Sequence, residues 1–303
     1  MNWLTKCRRN WRIYRRIHGL SRYIFRGKSA SIGINLSPRF DLHEWDEDDV
    51  EGWQNALIGA IDKMGPVPVY LWAGLKLDSE LVTKLSRLAF RLDCSVHLIG
   101  QGPQLSTKQI EDIILSGVES FSCTIAAKDN DLHQRVEQGK PIDLVNLARD
   151  IKEASRTFNR TINTVVRIPW HYETASSATE TLEWLSQQYF DKIELVPSFF
   201  ASDAASDNEL LAQIERSGLH QTPIKRIEYL GFQFDSEDKP GIPRTNGTCQ
   251  VARHITLIRP DGSTAHCPFK AWSTDENGVS VHLKDIKSCQ RHCHHPDVMP
   301  FEA

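Results

Sequence analysis

Short β-branched runs recur along this chain every 25–35 residues or so, and helical segments fill the intervals. The runs are 31–36 (SIGINL), 67–72 (VPVYLW), 95–99 (SVHLI), 119–125 (ESFSCTI), 161–168 (TINTVVRI) and 192–196 (KIELV). Between them, Asp46–Lys63, Asp78–Leu92, Thr107–Ser116, Ile142–Ser155 and Ser176–Tyr189 carry helical patterning, and the acidic run Asp46 to Asp49 suits a helix N-terminus. Alternation of this kind excludes all-α and all-β folds. It demands parallel βα units whose strands are covered on both faces. The units are too many for a small flavodoxin-like sheet and fit a partial or complete βα barrel, in which chemistry belongs at the C-terminal ends of the strands. FFASDAASDNELLAQIERSGL then reads as a loop and a helix, IKRIEYLGFQF as a further strand, and the turn-rich Asp235–Thr248 as a boundary.

A formal charge of −3 on 303 residues argues against a nucleic-acid binder. No stretch approaches the roughly 18–20 uninterrupted apolar residues of a membrane span. The basic N-terminus lacks an apolar core and a cleavage site, so a cytoplasmic location is the expectation. Within residues 1–28, Arg8, Arg9, Arg12, Arg15, Arg16, Arg22 and Arg26 alternate with Trp3, Leu4, Trp11, Tyr14, Ile17 and Ile24. That spacing gives a basic amphipathic helix. Through residues 1–26 it could lie peripherally on an anionic membrane surface or cover a partner protein or RNA, or it could simply close one end of the following domain.

Seven cysteines, an odd number, argue for thiolate chemistry over a disulfide framework. Four of them fall within 45 residues near the end of the chain: Cys249, Cys267, Cys289 and Cys293. Cys249 precedes a strand at His254–Arg259. Pro260, Asp261 and Gly262 make a tight turn, and Ser263–His266 return towards Cys267. A hairpin therefore brings the first two cysteines to one end. Cys289 and Cys293, four positions apart, share one face of a helical turn. Two converging thiolate pairs suit an iron–sulfur cluster or zinc. His292, His294 and His295 could serve zinc, but neither pair has the two-residue spacing of a zinc ribbon, and the cluster is the favoured reading. Cys7, Cys94 and Cys123 read as small structural residues.

These residues carry a family resemblance. Cys249, twelve residues, Gly262, four residues and Cys267 resemble the opening of the SPASM motif of radical S-adenosylmethionine (SAM) proteins, and Cys289 with Cys293 resembles part of its later cysteine group. The resemblance spans about residues 31–303. It implies an α/β fold: a partial (βα)6-type radical-SAM-like barrel with a small C-terminal cysteine-rich SPASM/Twitch extension. The implied domains are the basic helix at 1–28, the barrel at 29–235 and the cluster-binding region at 236–303. SPASM domains proper carry more cysteines, so the four present imply one Twitch-like auxiliary [4Fe-4S] cluster.

Three expected parts of the SAM site are missing. The loop after the first strand, where the family has CxxxCxxC, reads SPRFDLHEWDEDD, and His43 with Glu44 cannot replace three thiolates on a low-potential cluster. In place of a Gly-Gly-Glu-Pro-like motif the second strand ends Ala73-Gly74-Leu75-Lys76. In place of a Thr-Asn-Gly-like turn the third ends Ile99-Gly100-Gln101-Gly102. The resemblance with these gaps implies an iron–sulfur protein that does not cleave SAM, acting in electron relay or as a substrate-binding partner of another enzyme, with a protein or peptide as its partner. An active radical SAM-type enzyme with an altered SAM or ligand site, and a zinc-stabilised binding module, are the alternatives.

Two further groups lie where a barrel places its functional loops. Asp129, Asp131, His133 and Arg135 follow the fourth strand and read first as a capped helix N-terminus. Arg167, Trp170, His171 and Glu173 come at the end of the fifth. They read first as solvated loop residues, with carboxylate or phosphate binding or acid–base work as the functional alternative. No P-loop, nucleophile elbow, HExxH or GxGxxG is present.

Overall fold

The computed structural model describes residues 31–36, 47–73, 79–100, 105–136, 139–170, 174–197, 227–229, 255–258 and 264–265. Through them run β1 (Ser31–Asn35), α1 (Glu47–Met64), β2 (Val69–Ala73), α2 (Ser79–Arg91), β3 (Val96–Gly100), α3 (Thr107–Leu115), β4 (Val118–Thr124), α4 (Asn130–Val136), α5 (Pro141–Thr157), β5 (Asn163–Trp170), α6 (Ala178–Ser186) and β6 (Lys192–Pro197). The shorter β7 (Ile227–Tyr229), β8 (Ile255–Ile258) and β9 (Thr264–Ala265) follow. The alternation expected from the sequence is therefore present at nearly the expected bounds. The basic helix of residues 1–28 lies outside the described residues. No described helix is long and apolar enough to cross a membrane.

Local chemistry sets the helix starts. Before α3, the Ser106 hydroxyl accepts from the Gln109 N–H at 3.3 Å while the Gln109 side-chain oxygen accepts from the Ser106 N–H at 2.9 Å, a reciprocal capping box. Asp129 caps α4 by accepting from the Leu132 N–H at 2.9 Å. Pro141 opens α5, where its missing N–H costs nothing. The turn from α3 into β4 passes through Gly117 at φ +105°, and a Cβ there would stand 2.5 Å from the Phe90 ring.

Two compact units divide the chain. In the first, the strand order is β3-β2-β1-β8-β9. β2 and β8 flank β1, both parallel to it, with Gly33 opposite Tyr70 on one side and Leu257 on the other. β9 returns antiparallel to β8, pairing Ala265 with Leu257, so the hairpin read from the Pro260-Asp261-Gly262 turn is present and its first strand extends the parallel sheet. Ile32, Ile34, Val69, Leu71, Val96 and Leu98 alternate on one face and are essentially inaccessible to water, as expected of the face that helices cover. The other face carries Gly33, Tyr70, Trp72 and Leu257. Gly33 is there because nothing larger fits: a Cβ would stand 2.3 Å from the Trp72 ring and 2.6 Å from Leu257.

The second unit holds the order β4-β5-β6-β7, all parallel. Phe121, Cys123, Ile125, Val166, Ile168 and Ile193 form its apolar face. At the N-terminal ends of its strands, Asp191 gathers the Lys152 ammonium of α5 and the Thr164 N–H at 2.8 Å, while Lys152 also donates to the Ile162 carbonyl at 2.8 Å. This knot ties α5 to β5 and β6, at the end of the sheet where structure rather than chemistry is expected. The sheet does not close, so the chain is a parallel α/β protein of partial-barrel type.

Gly33→Ala is expected to lower stability by about 1–3 kcal/mol through overpacking against Trp72. Gly59→Ala, in α1 with open space around it, should gain up to about 1 kcal/mol, and urea denaturation reads both. Burial pushes the Asp191 carboxyl up, but the Lys152 and Thr164 hydrogen bonds outweigh it and hold the group below its ordinary 3.8. Its stabilising contribution is therefore complete above pH 3.8 and is lost as pH falls further. The stability difference between the wild-type chain and Asp191→Asn should shrink over that acid range.

Candidate functional site

Parallel register sets side chains of neighbouring strands into rows, and one row of the second unit is polar. Thr124 of β4 pairs with Arg167 of β5, which pairs with Glu194 of β6. One step towards the N-terminal ends lies the row Ser122, Val165 and Lys192 on the same face. Since Phe121, Cys123, Val166 and Ile168 face the opposite, apolar side, these polar groups occupy the face a βα barrel turns to its interior. Arg167 and Glu194 are only 4% and 5% exposed. Arg167 Nε donates to Glu194 Oε2 at 2.8 Å, and Lys192 Nζ stands 3.1 Å from Glu194 Oε1, so both carboxylate oxygens are engaged. Arg167 Nη1 is buried and has no hydrogen-bond partner among the described residues. A buried donor left in that state costs about 1–3 kcal/mol.

This placement corrects the first reading of Arg167. It is not a solvated loop residue, since β5 runs through it to Trp170 and buries it. His171 and Glu173 lie outside the described residues. Glu194 and Lys192 went unnoticed in the sequence because KIELV reads as an ordinary strand. The available signal was a pair of charges inside a run that a parallel sheet buries on both faces.

In the first unit the corresponding face is aromatic. Tyr70 stacks on His97 with ring centroids 4.7 Å apart, and Trp72 lies 6.1 Å from Tyr70 at a tilt. His97 Nε2 is 3.2 Å from the Ser95 hydroxyl. After β4, the Ala126 N–H donates at 3.1 Å to Nδ1 of His133, which is fully buried. Accepting there puts the ring proton on Nε2, and the contact ties α4 to the segment leaving β4. With Asp129 capping the same helix, the capped-helix reading of this group holds.

Cys94 and Cys123 are both buried, as expected of structural cysteines. Burial pushes the Cys123 thiol well above its ordinary range, and the nearby Arg167 charge pulls it down by less, so it stays a thiol. Among the described residues no group of three or more His, Cys, Asp or Glu is arranged to hold a metal. Cys249, Cys267, Cys289 and Cys293 lie outside the described residues, as do Cys7 and the loop with His43 and Glu44. The described hairpin ends at Ala265, two positions before Cys267, with its first strand fixed to β1.

No family model matches the chain, and no curated protein matches it. Solved structures do. Streptococcus suis SuiB bound to S-adenosylmethionine superposes with a TM-score of 0.60 at 11% identity, over 96% of this chain and 70% of that one. SuiB bound to its precursor peptide SuiA gives 0.60 at 11%, over 95% and 70%. anSMEcpe with bound AdoMet and a Cp18Cys peptide gives 0.51 at 10%, over 78% and 74%. Identity this low speaks for the fold alone, the open parallel βα-barrel type that these structures share with this chain.

Glu194→Leu should destabilise the chain by about 3–5 kcal/mol, because it strands the Arg167 charge. Arg167→Leu combined with Glu194→Leu removes the pair as a unit and should cost far less, a contrast readable by urea denaturation.

Proposed function

We propose that this is an iron–sulfur protein built on a radical SAM-type barrel, holding one auxiliary [4Fe-4S] cluster through Cys249, Cys267, Cys289 and Cys293 and not cleaving SAM. The observation that carries the reading is the distribution of thiols. Four cysteines cluster after the boundary, whereas the loop following β1 has none. Neither Cys94, ahead of β3, nor Cys123, on the apolar face of β4, is placed to replace them.

The donor set fits the group. Four thiolates suit a [4Fe-4S] cluster, which would supply one-electron exchange over a potential set by its surroundings. What this chain's own residues do is anchor and position: the β8–β9 hairpin, seated on β1 through Gly33 and Leu257, fixes the strand that leads to Cys267. Electron relay and presentation of a peptide to a partner enzyme both follow from such an arrangement. We favour the peptide, because SuiB, which shares the fold, is seen with a precursor peptide bound.

Incubating the anaerobically purified protein with SAM and dithionite should yield no 5′-deoxyadenosine by chromatography. Production of that nucleoside by this protein alone would replace the reading with an active SAM-cleaving enzyme.

A further inference from the structure

Arg167 presents a chemical arrangement that its own ion pair does not complete. A guanidinium carries five N–H donors in a rigid planar fork. Glu194 takes the Nε edge at 2.8 Å, and its second oxygen is drawn to Lys192 at 3.1 Å. The fork cannot swing Nη1 to Glu194 without surrendering Nε, and among the described residues Nη1 is left buried without a partner. Such a group is held in place only when the surrounding fold fixes it or a ligand completes it.

The neighbours say which kind of ligand. On the β4 side of Arg167 the same face carries the hydroxyls of Ser122 and Thr124, both less than a tenth exposed. On the β6 side the same face carries Glu194 with Lys192 against its second oxygen, so that carboxylate is already engaged twice. The hydroxyls of β4 therefore stand beside the guanidinium with no acidic side chain among them, at the C-terminal half of β5 where a βα barrel receives its ligands. A planar cationic fork flanked by hydroxyls matches an oxyanion, for which charge-assisted and paired N–H···O bonds are strongest.

We infer that the row formed by Thr124 and Arg167, with Ser122 behind it, is a binding site for an oxyanion of the carboxylate or phosphate class. Glu194 orients the guanidinium and leaves its Nη1 edge for the ligand. Nothing in this depends on the tail cysteines, so it stands or falls separately from the cluster.

Isothermal titration of the full-length chain with glutarate and, separately, with inorganic phosphate at constant ionic strength tests it. The expected result is saturable one-site binding of at least one anion, weakened about tenfold or more in Arg167→Lys, which keeps the charge and loses the fork. The Arg167→Leu, Glu194→Leu double variant should show none. Binding of glutarate alone assigns a carboxylate ligand, and binding of phosphate alone assigns a phosphate. Absence of saturable binding for both would overturn the inference, as would Arg167→Lys binding like the wild type. The Lys variant decides the matter even if the double variant fails to fold.

Discussion

A strand in a parallel βα sheet is covered on both faces, so a charge inside it must find its partner among the neighbours on its own face of the sheet. That constraint organises the second unit. Arg167 and Glu194 sit on adjacent parallel strands at one level, and their 2.8 Å contact is what allows two ionised groups to remain almost fully buried. The opposite face of the same strands is aliphatic and closes onto the helices. One register therefore separates a face that holds the fold together from a face with capacity for chemistry.

The first unit obeys the same separation with a different filling. Its apolar face is a continuous layer of Ile, Val and Leu, while the other brings Tyr70, Trp72 and His97 together around a strand that had to give up a side chain at Gly33. That vacancy admits both the Trp72 ring and Leu257. The hairpin that precedes Cys267 is thereby built onto the sheet, by main-chain pairing along β8 and by side-chain packing over β1. A cluster held in the segment beyond would be tied to the barrel by a rigid strand, which suits exchange of electrons or presentation of a bound chain better than a flexible tether.

Much of this was legible in the sequence, for physical reasons. The strand and helix rhythm is a consequence of burial period, and it located β1 to β6 and every helix between them except the short α4. The Pro260-Asp261-Gly262 sequence announced the β8–β9 hairpin because residues of these types favour turns between strands. Asp129 was readable as a cap because the capping contact is made within three residues of sequence. Pairing between distant segments was not readable. Nothing in HITLIR says that β8 will lie beside β1, since that depends on the space above Gly33. Nor does Arg167 reveal from its own segment that it meets Glu194, 27 residues later, because the meeting is fixed by register between strands. The proposed donor set of four tail cysteines rests on residue type and spacing alone, since all four lie outside the described residues.

The central claim is one cluster on four tail thiolates and none at the barrel mouth. Iron and acid-labile sulfide quantified on anaerobically reconstituted protein, with electron paramagnetic resonance of the reduced form, test it most directly. The account requires about four irons and four sulfides per chain with a single reduced-cluster signal, both lost when Cys289 and Cys293 are replaced by Ala. Zinc in place of iron, or a second cluster that survives those replacements, would contradict it.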